Sequence, residues 1–135
     1  MRIYVAASSR EVNRVRAAYA AVAASGWTLT HDWLTPLLAN LDRGVRDTDL
    51  SRDDMVRYAC ADLDAIARAD VLWVLAPREL TKGAWLETGY AYGIGVPIVV
   101  SGGCPSLFLS LADHVLDDDE DAPGAIGTIG PRRDA

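Results

Sequence analysis

Cysteine is nearly missing from this chain of 135 residues: Cys60 and Cys104 lie far apart, with no C-x-x-C spacing and no paired Cys and His. Neither a disulfide framework nor a zinc site is signalled, which leaves buried or idle thiols and no expected metal or organic cofactor. Long apolar runs are missing too. No stretch approaches the roughly 18 residues of a membrane-spanning helix, and the opening "RIYVAA" is too short for the apolar core of a signal peptide, so the expectation is a cytoplasmic protein with no membrane partner. Basic charge is scarce, with 13 Lys and Arg against 19 Asp and Glu and a net charge of −6. That balance argues against duplex nucleic acid and anionic lipid, both of which reward basic surfaces, while leaving room for a single nucleoside or nucleotide in a local pocket. The acidic run "DDDED" at 117–121 lacks the D-x-[DN]-x-[DN]-G spacing of a calcium loop and reads as a solvated acidic turn before the last helix.

Hydrophobic residues make up 50% of the chain, enough to fill the core of one ordinary domain, placed at 1–130, without staples. The punctuation alternates between strand and helix. "RIYVAA" reads as a strand, and "SSRE" as a capping box that opens a helix at Ser8, with Val12, Val15, Tyr19 and Val22 at helical spacing and Gly26 as its stop. "WTLTHDW" reads as a second strand. Thr35 as cap, Pro36 in the first turn and Gly44 as stop mark a short helix, and 45–50 reads as loop. Ser51 opens a longer helix whose Met55, Ala59, Leu63 and Ile66 form one apolar stripe. "DVLWVLAP" and "VPIVVSG" are continuous apolar strands flanking a helix that starts at Gly83. A short strand around "HVLD", a weak helix at about 123–129 and a frayed tail at 131–135 complete the chain. Strands without polar alternation, separated by helices, predict a three-layer, doubly wound α/β domain of about five parallel strands, flavodoxin- or Rossmann-like. In such sheets ligands bind beyond the carboxyl ends of the strands where the winding reverses, here among "AASSR", "HDW", "APRELTKG" and "SGGCPS".

Two carboxylates stand where neighbours look like core. With Met55 set to zero on its helix, Asp62 falls at about −20°, within the apolar stripe, and Asp64 near 180°, facing solvent. Glu87 sits about one turn into "GAWLETGYAYG", apolar on nearly every side, where the helix dipole favours an anion. An unpaired buried charge costs several kcal/mol. Either acid could simply bond a neighbouring amide or tie helix to strand. Tyr4, a polar tip on the first strand, is a candidate donor that would hold Glu87 ionised. His31 and His114 are lone residues read as structural or exposed, although the "HDW" loop could touch a ligand.

Together, "IYVAAS", "DLDAIARADVLWVL" and G-x-x-x-E-x-G-Y-A followed by "GVPIVVSG" resemble the nucleoside 2-deoxyribosyltransferase family, whose superfamily includes N-glycohydrolases of deoxynucleoside and pyrimidine nucleotide monophosphates. The likeness spans about residues 2–102. It implies that Glu87 is the nucleophile that forms a glycosyl ester, that Asp62 is the acid that protonates the departing base, and that Tyr4 orients Glu87, a logic shared with retaining glycosidases. It further implies transfer of a 2-deoxyribosyl group to a free base, or to water, in nucleotide salvage. It implies a homodimer or larger homo-oligomer in which Ser106 completes a neighbour's pocket. Four tryptophans fit such an interface, and fit a large core equally well.

The sequence departs from the family in having no acid between Glu79 and Glu87. Ser8, Ser9 and Arg10 at a helix start could cradle a 5′-phosphate, as in the monophosphate hydrolases, or form only a capping box beside an exposed arginine. Gly83 is assigned to substrate binding at the start of the Glu87 helix. A catalytically silent nucleotide-binding module is the remaining alternative, and an NAD-cleaving enzyme of the TIR kind is disfavoured because "AWLE" lacks that group's W-C-x-x-E spacing.

Overall fold

The computed structural model describes residues 1–79 and 81–133. Five parallel strands, β1 (Arg2–Ala6), β2 (Thr28–Leu29), β3 (Val71–Leu75), β4 (Ile98–Ser101) and β5 (His114–Leu116), form one sheet in the order β2-β1-β3-β4-β5. Helices α1 (Val12–Ala24), α2 (Leu34–Asp42), α3 (Arg52–Arg68), α4 (Gly83–Gly93) and α5 (Ala122–Ile129) connect and cover it. The three-layer α/β architecture expected from the sequence is the one observed.

The central strands are apolar end to end because both faces are covered. Tyr4, Ala6, Leu72, Val74, Ile98 and Val100 face a core with Ala65 and Ile66 of α3 and Ala84 and Ala91 of α4. Ile3, Val5, Val71, Trp73 and Val99 face the other way, against Val15 and Val22 of α1 and Ile126 of α5. Register is pinned by Ile3 opposite Val71 and by Leu72 opposite Ile98. A slip of one residue would turn every strand side chain to the wrong layer. The winding reverses between β1 and β3, so the crevice forms beyond Ala6 and Leu75.

Several boundaries depart from the sequence reading. α1 begins at Val12 rather than Ser8: the Ser8 hydroxyl accepts from Arg10 N at 3.3 Å in a turn, and Glu11 caps the helix without a side-chain bond. The stretch 27–33 yields a strand of only two residues. Beyond it, Trp33 rather than Thr35 is the N-cap of α2, and Asp32 just before it accepts from Thr35 N at 3.0 Å. Residues 47–49 form a 3₁₀ turn within the expected loop. Ser51 does cap α3, accepting from Asp54 N at 3.1 Å. Met55 and Ala59 on the expected apolar stripe are exposed rather than core. Gly26, at φ +71°, ends α1 in the left-handed conformation glycine tolerates. Cys60 and Cys104 are free and exposed, not buried.

The acidic run is not wholly solvated either. Asp119 receives Arg14 Nε at 2.6 Å and Nη2 at 2.9 Å, and the Ser101 hydroxyl at 2.6 Å. Arg14 Nη1 also donates to Ala76 O at 2.7 Å and Nη2 to Ser101 O at 3.1 Å, tying α1 to the ends of β3 and β4. Burial alone would raise the Asp119 pKa, but its bonds to Arg14 and Ser101 outweigh that and hold it low. In the expected tail, Arg132 N donates to Asp70 Oδ1 at 3.1 Å, while residues 134 and 135 lie outside the described residues.

Candidate active site

The carboxyl ends of β1 and β2 and the flanks of α2, α3 and α4 enclose a cleft of about 340 Å³. Glu87 and Asp62 both line it. Glu87 reaches it from the first turns of α4, where Ala84 and Ala91 pack flush against the sheet and leave the longer side chain to turn toward β1. Asp62 reaches it from the buried face of α3, as the helical angle predicted, and Asp64 is exposed.

Tyr4 is fully buried on β1, and its hydroxyl donates to Glu87 Oε1 at 2.9 Å. The expected bond is present. Its electrostatic outcome differs from the sequence reading: burial pushes the Glu87 pKa from 4.5 up to about 8, the Tyr4 bond pulls it partly back, and the charge of Asp62 adds to the rise. Desolvation outweighs the single hydrogen bond, so Tyr4 does not hold Glu87 fully ionised at neutral pH. Asp62 is also raised, by burial first, against the opposing influence of His31 and of the Tyr4 hydroxyl, with Asp47 adding to the rise. Tyr4 itself is raised far above its ordinary value by burial and by both carboxylates, and stays a neutral donor.

Not every residue singled out from the sequence enters the cleft. Ser9 and Gly83 line it. Ser8 is buried, its hydroxyl spent on the backbone turn, and Arg10 points away to pair with Glu79 at 3.1 Å on the exposed surface. Ser106 accepts from Phe108 N at 3.3 Å and lines a separate apolar groove of about 540 Å³ with Trp85, Tyr92, Phe108 and Leu111. Within one chain Ser106 and Glu87 are therefore not brought together.

Two contributors were missed, and a third, His31, the sequence places only through its "HDW" loop. His31 stands with Nε2 3.5 Å from Asp62 Oδ1, and the two side chains are 30% and 27% exposed. Asp47 lines the cleft from the 3₁₀ turn and is close enough to raise Asp62. An apolar wall of Trp33, Leu37, Met55 and Tyr58 faces the carboxylates, with Asn40 beside it. The exposed half of the α3 stripe is thus pocket lining, a role periodicity cannot tell from core. Trp33 is fixed by its indole N–H, which donates to Val5 O at 2.8 Å. Among the described residues that line the cleft, none is Lys or Arg.

No protein-family model matches the chain, and neither does any curated protein. Solved structures do. The chain is similar to a 2-deoxyribosyltransferase of Bacillus psychrosaccharolyticus, with 18% identity over all of both chains and a TM-score of 0.74. It is also similar to a CMP N-glycosidase of Clostridium botulinum, with 14% identity over 96% of this chain and 98% of that one and a TM-score of 0.57. The chain has the fold of these two enzymes along nearly its whole length, the fold that its resemblance to the deoxyribosyltransferases implies.

Proposed function

We propose that this protein cleaves the N-glycosidic bond of a 2-deoxyribonucleoside and passes the sugar to another base through a covalent ester on Glu87. The observation that carries the reading is the Tyr4 to Glu87 bond of 2.9 Å in a cleft that Asp62 also lines. Glu87 Oε2, the oxygen to which Tyr4 does not donate, attacks the anomeric carbon while Tyr4 fixes the rotamer of the carboxylate. A nucleobase leaves poorly as an anion, so Asp62, whose pKa is raised, donates a proton to the departing nitrogen. The ester then reacts with an incoming base, with Asp62 taking the proton from it. One proton shared between two carboxylates is the active form, as in retaining glycosidases.

The cleft volume is within the range of small-molecule sites. Its apolar wall offers a flat surface for a base, which supports a base rather than water as the acceptor. Its three acids, Asp47, Asp62 and Glu87, line the cleft without a Lys or Arg among the described lining residues. Arg10 is turned to Glu79. That balance supports an uncharged nucleoside over a 5′-monophosphate. The monophosphate N-glycohydrolase reading has one observation in its favour, the Ser9 hydroxyl at the cleft beside Arg10, and the same assay decides between them.

We further propose that the chain self-associates through the apolar groove around Ser106, where Leu107 and Phe108 are 76% and 71% exposed.

The testing experiment incubates a panel of deoxynucleosides and their monophosphates with and without adenine or thymine. Exchange of the base on the nucleoside is expected. Base release only from monophosphates supports the hydrolase, and the absence of both products from every substrate removes the glycosyl chemistry.

A further inference from the structure

Two stripes of helical spacing line the cleft. Trp33, Pro36, Leu37 and Asn40 come from α2 and its cap, and Met55, Tyr58, Ala59 and Asp62 from α3, each set at i, i+3, i+4 and i+7. Asp62 ends its stripe beside Tyr4, and Met55 lies seven residues earlier, about 10 Å back along the helix axis. The other stripe ends at Asn40. Its carbonyl accepts from Val45 N at 2.9 Å, a bond that folds the chain back toward Asp47, which lines the cleft as well.

Asn40 and Asp47 offer opposite hydrogen-bonding characters. Arg43 Nη2 donates to Asn40 Oδ1 at 2.5 Å, and a guanidinium carries donors only, so the amide oxygen is the atom that faces it. That leaves Asn40 Nδ2 as a donor without a protein partner among the described residues. The Asp47 carboxylate, an acceptor, likewise makes no hydrogen bond or ion pair among the described residues. Neighbouring acids are tied down: Asp49 on the same turn accepts from Arg46 N at 2.9 Å, and Asp54 from Arg57 Nη2 at 2.7 Å. A donor and an acceptor left open beside an apolar wall are arranged for a ligand that carries both characters on one edge.

We propose that Asn40 and Asp47 select the base, favouring one with an exocyclic amino group next to an unprotonated ring nitrogen, as in adenine and cytosine. This rests on the reading of the cleft as a nucleoside site. Asn40 Nδ2 donates to the ring nitrogen, and the amino group donates to Asp47. In the oxo counterparts, hypoxanthine and uracil, both characters are reversed: a ring N–H meets the Asn40 donor and a carbonyl oxygen meets the carboxylate. Selection therefore comes from the mismatch as much as from the match. The edge read in this way is remote from the glycosidic nitrogen, which leaves the sugar side of the base to Asp62.

The test compares kcat/KM for base release from deoxyadenosine against deoxyinosine and from deoxycytidine against deoxyuridine, pairs that exchange an amino for an oxo group at one ring carbon. The amino member of each pair should be favoured by about tenfold, the size of discrimination that one well-placed donor and acceptor pair supplies. Asp47→Asn and Asn40→Leu should each bring both ratios to within about threefold of one. A ratio compares two substrates on one protein, so damage to the fold that slows both does not move it. Parental ratios already within about threefold of one overturn the proposal, and so do ratios that either variant leaves unchanged. If no base is released from any nucleoside, the glycosyl reading fails, and calorimetry with the same four nucleosides reads the selection by itself. A tenfold preference in Kd for the amino members then supports it; equal binding, or none, overturns it.

Discussion

The hydroxyl of Tyr4 donates across 2.9 Å to Glu87, a residue 83 positions further along the chain. Strand β1 and helix α4 meet at that contact, and the half-buried acid has its direction set there. Replacing Tyr4 with Phe keeps the ring in the core and removes only the donor. We expect kcat/KM for base release to fall by about 10- to 100-fold, and stability by about 1 kcal/mol, the usual worth of one hydrogen bond. Steady-state kinetics and urea unfolding measure the two separately.

The protonation of the same pair sets a pH profile. Activity requires one proton between Glu87 and Asp62, so kcat/KM should be bell-shaped, with an alkaline limb near the value of about 8 to which burial pushes Glu87. The acid limb should lie above the ordinary value of an aspartate, because burial raises Asp62 too. Since the Tyr4 bond lowers Glu87, Tyr4→Phe should move the alkaline limb upward. A limb that stays in place would show that Glu87 is not the titrating group.

Glu87 should also cost the protein stability when ionised. Its folded pKa, about 8, lies above the unfolded value of 4.5, so the folded state binds the proton more tightly. Stability is highest below pH 4.5 on this account and declines as pH rises from there to about 8. Glu87→Gln removes the charge. The variant should be inactive yet more stable than the unaltered protein by a few kcal/mol at pH 9, with the gain shrinking toward pH 5, as seen by thermal melts across that range.

Away from the cleft, Arg14 is the joint between α1, β3 and β4. Arg14→Ala would leave Asp119 without its main partner and take one donor each from the Ala76 and Ser101 carbonyls, for a loss of about 3 kcal/mol. Asp119 is held below its ordinary pKa, so its contribution is present above the unfolded value and fades as pH falls through the folded one. Gly102→Ala should be harmful by the same route: at φ +87° an added Cβ would collide with Arg14 Nη2. Urea unfolding of both variants at neutral pH measures these losses.

The apolar groove makes its own prediction. Phe108→Glu places a charge on the face proposed for self-association and should shift the protein toward monomer in sedimentation experiments, without loss of fold, because Phe108 is mostly exposed. An unchanged sedimentation coefficient would remove this face from the assembly.

The sheet was legible because parallel strands buried on both faces carry a signal of their own: "DVLWVLAP" admits few alternatives. Asp62 and Glu87 were legible because a charge inside an apolar stripe breaks the pattern. Helix starts were less so. Ser8 looked like a cap, but its hydroxyl closes a turn to Arg10, and the helix waits until Val12. The "HDW" loop was placed at the crevice, but the pairing of His31 with Asp62 and the approach of Asp47 were not legible, since each lies outside a periodic element and gains meaning only from what it approaches. Met55 and Ala59 have the spacing of core residues; the helix carries them past the edge of the sheet to the cleft, and only tertiary packing decides that.

The most direct test of the account is mass spectrometry of the protein quenched during turnover of a deoxynucleoside without acceptor. A deoxyribosyl adduct on the peptide that carries Glu87, absent from Glu87→Gln and discharged by a free base, is the predicted result. Base release with no adduct, or an adduct on another residue, would contradict it.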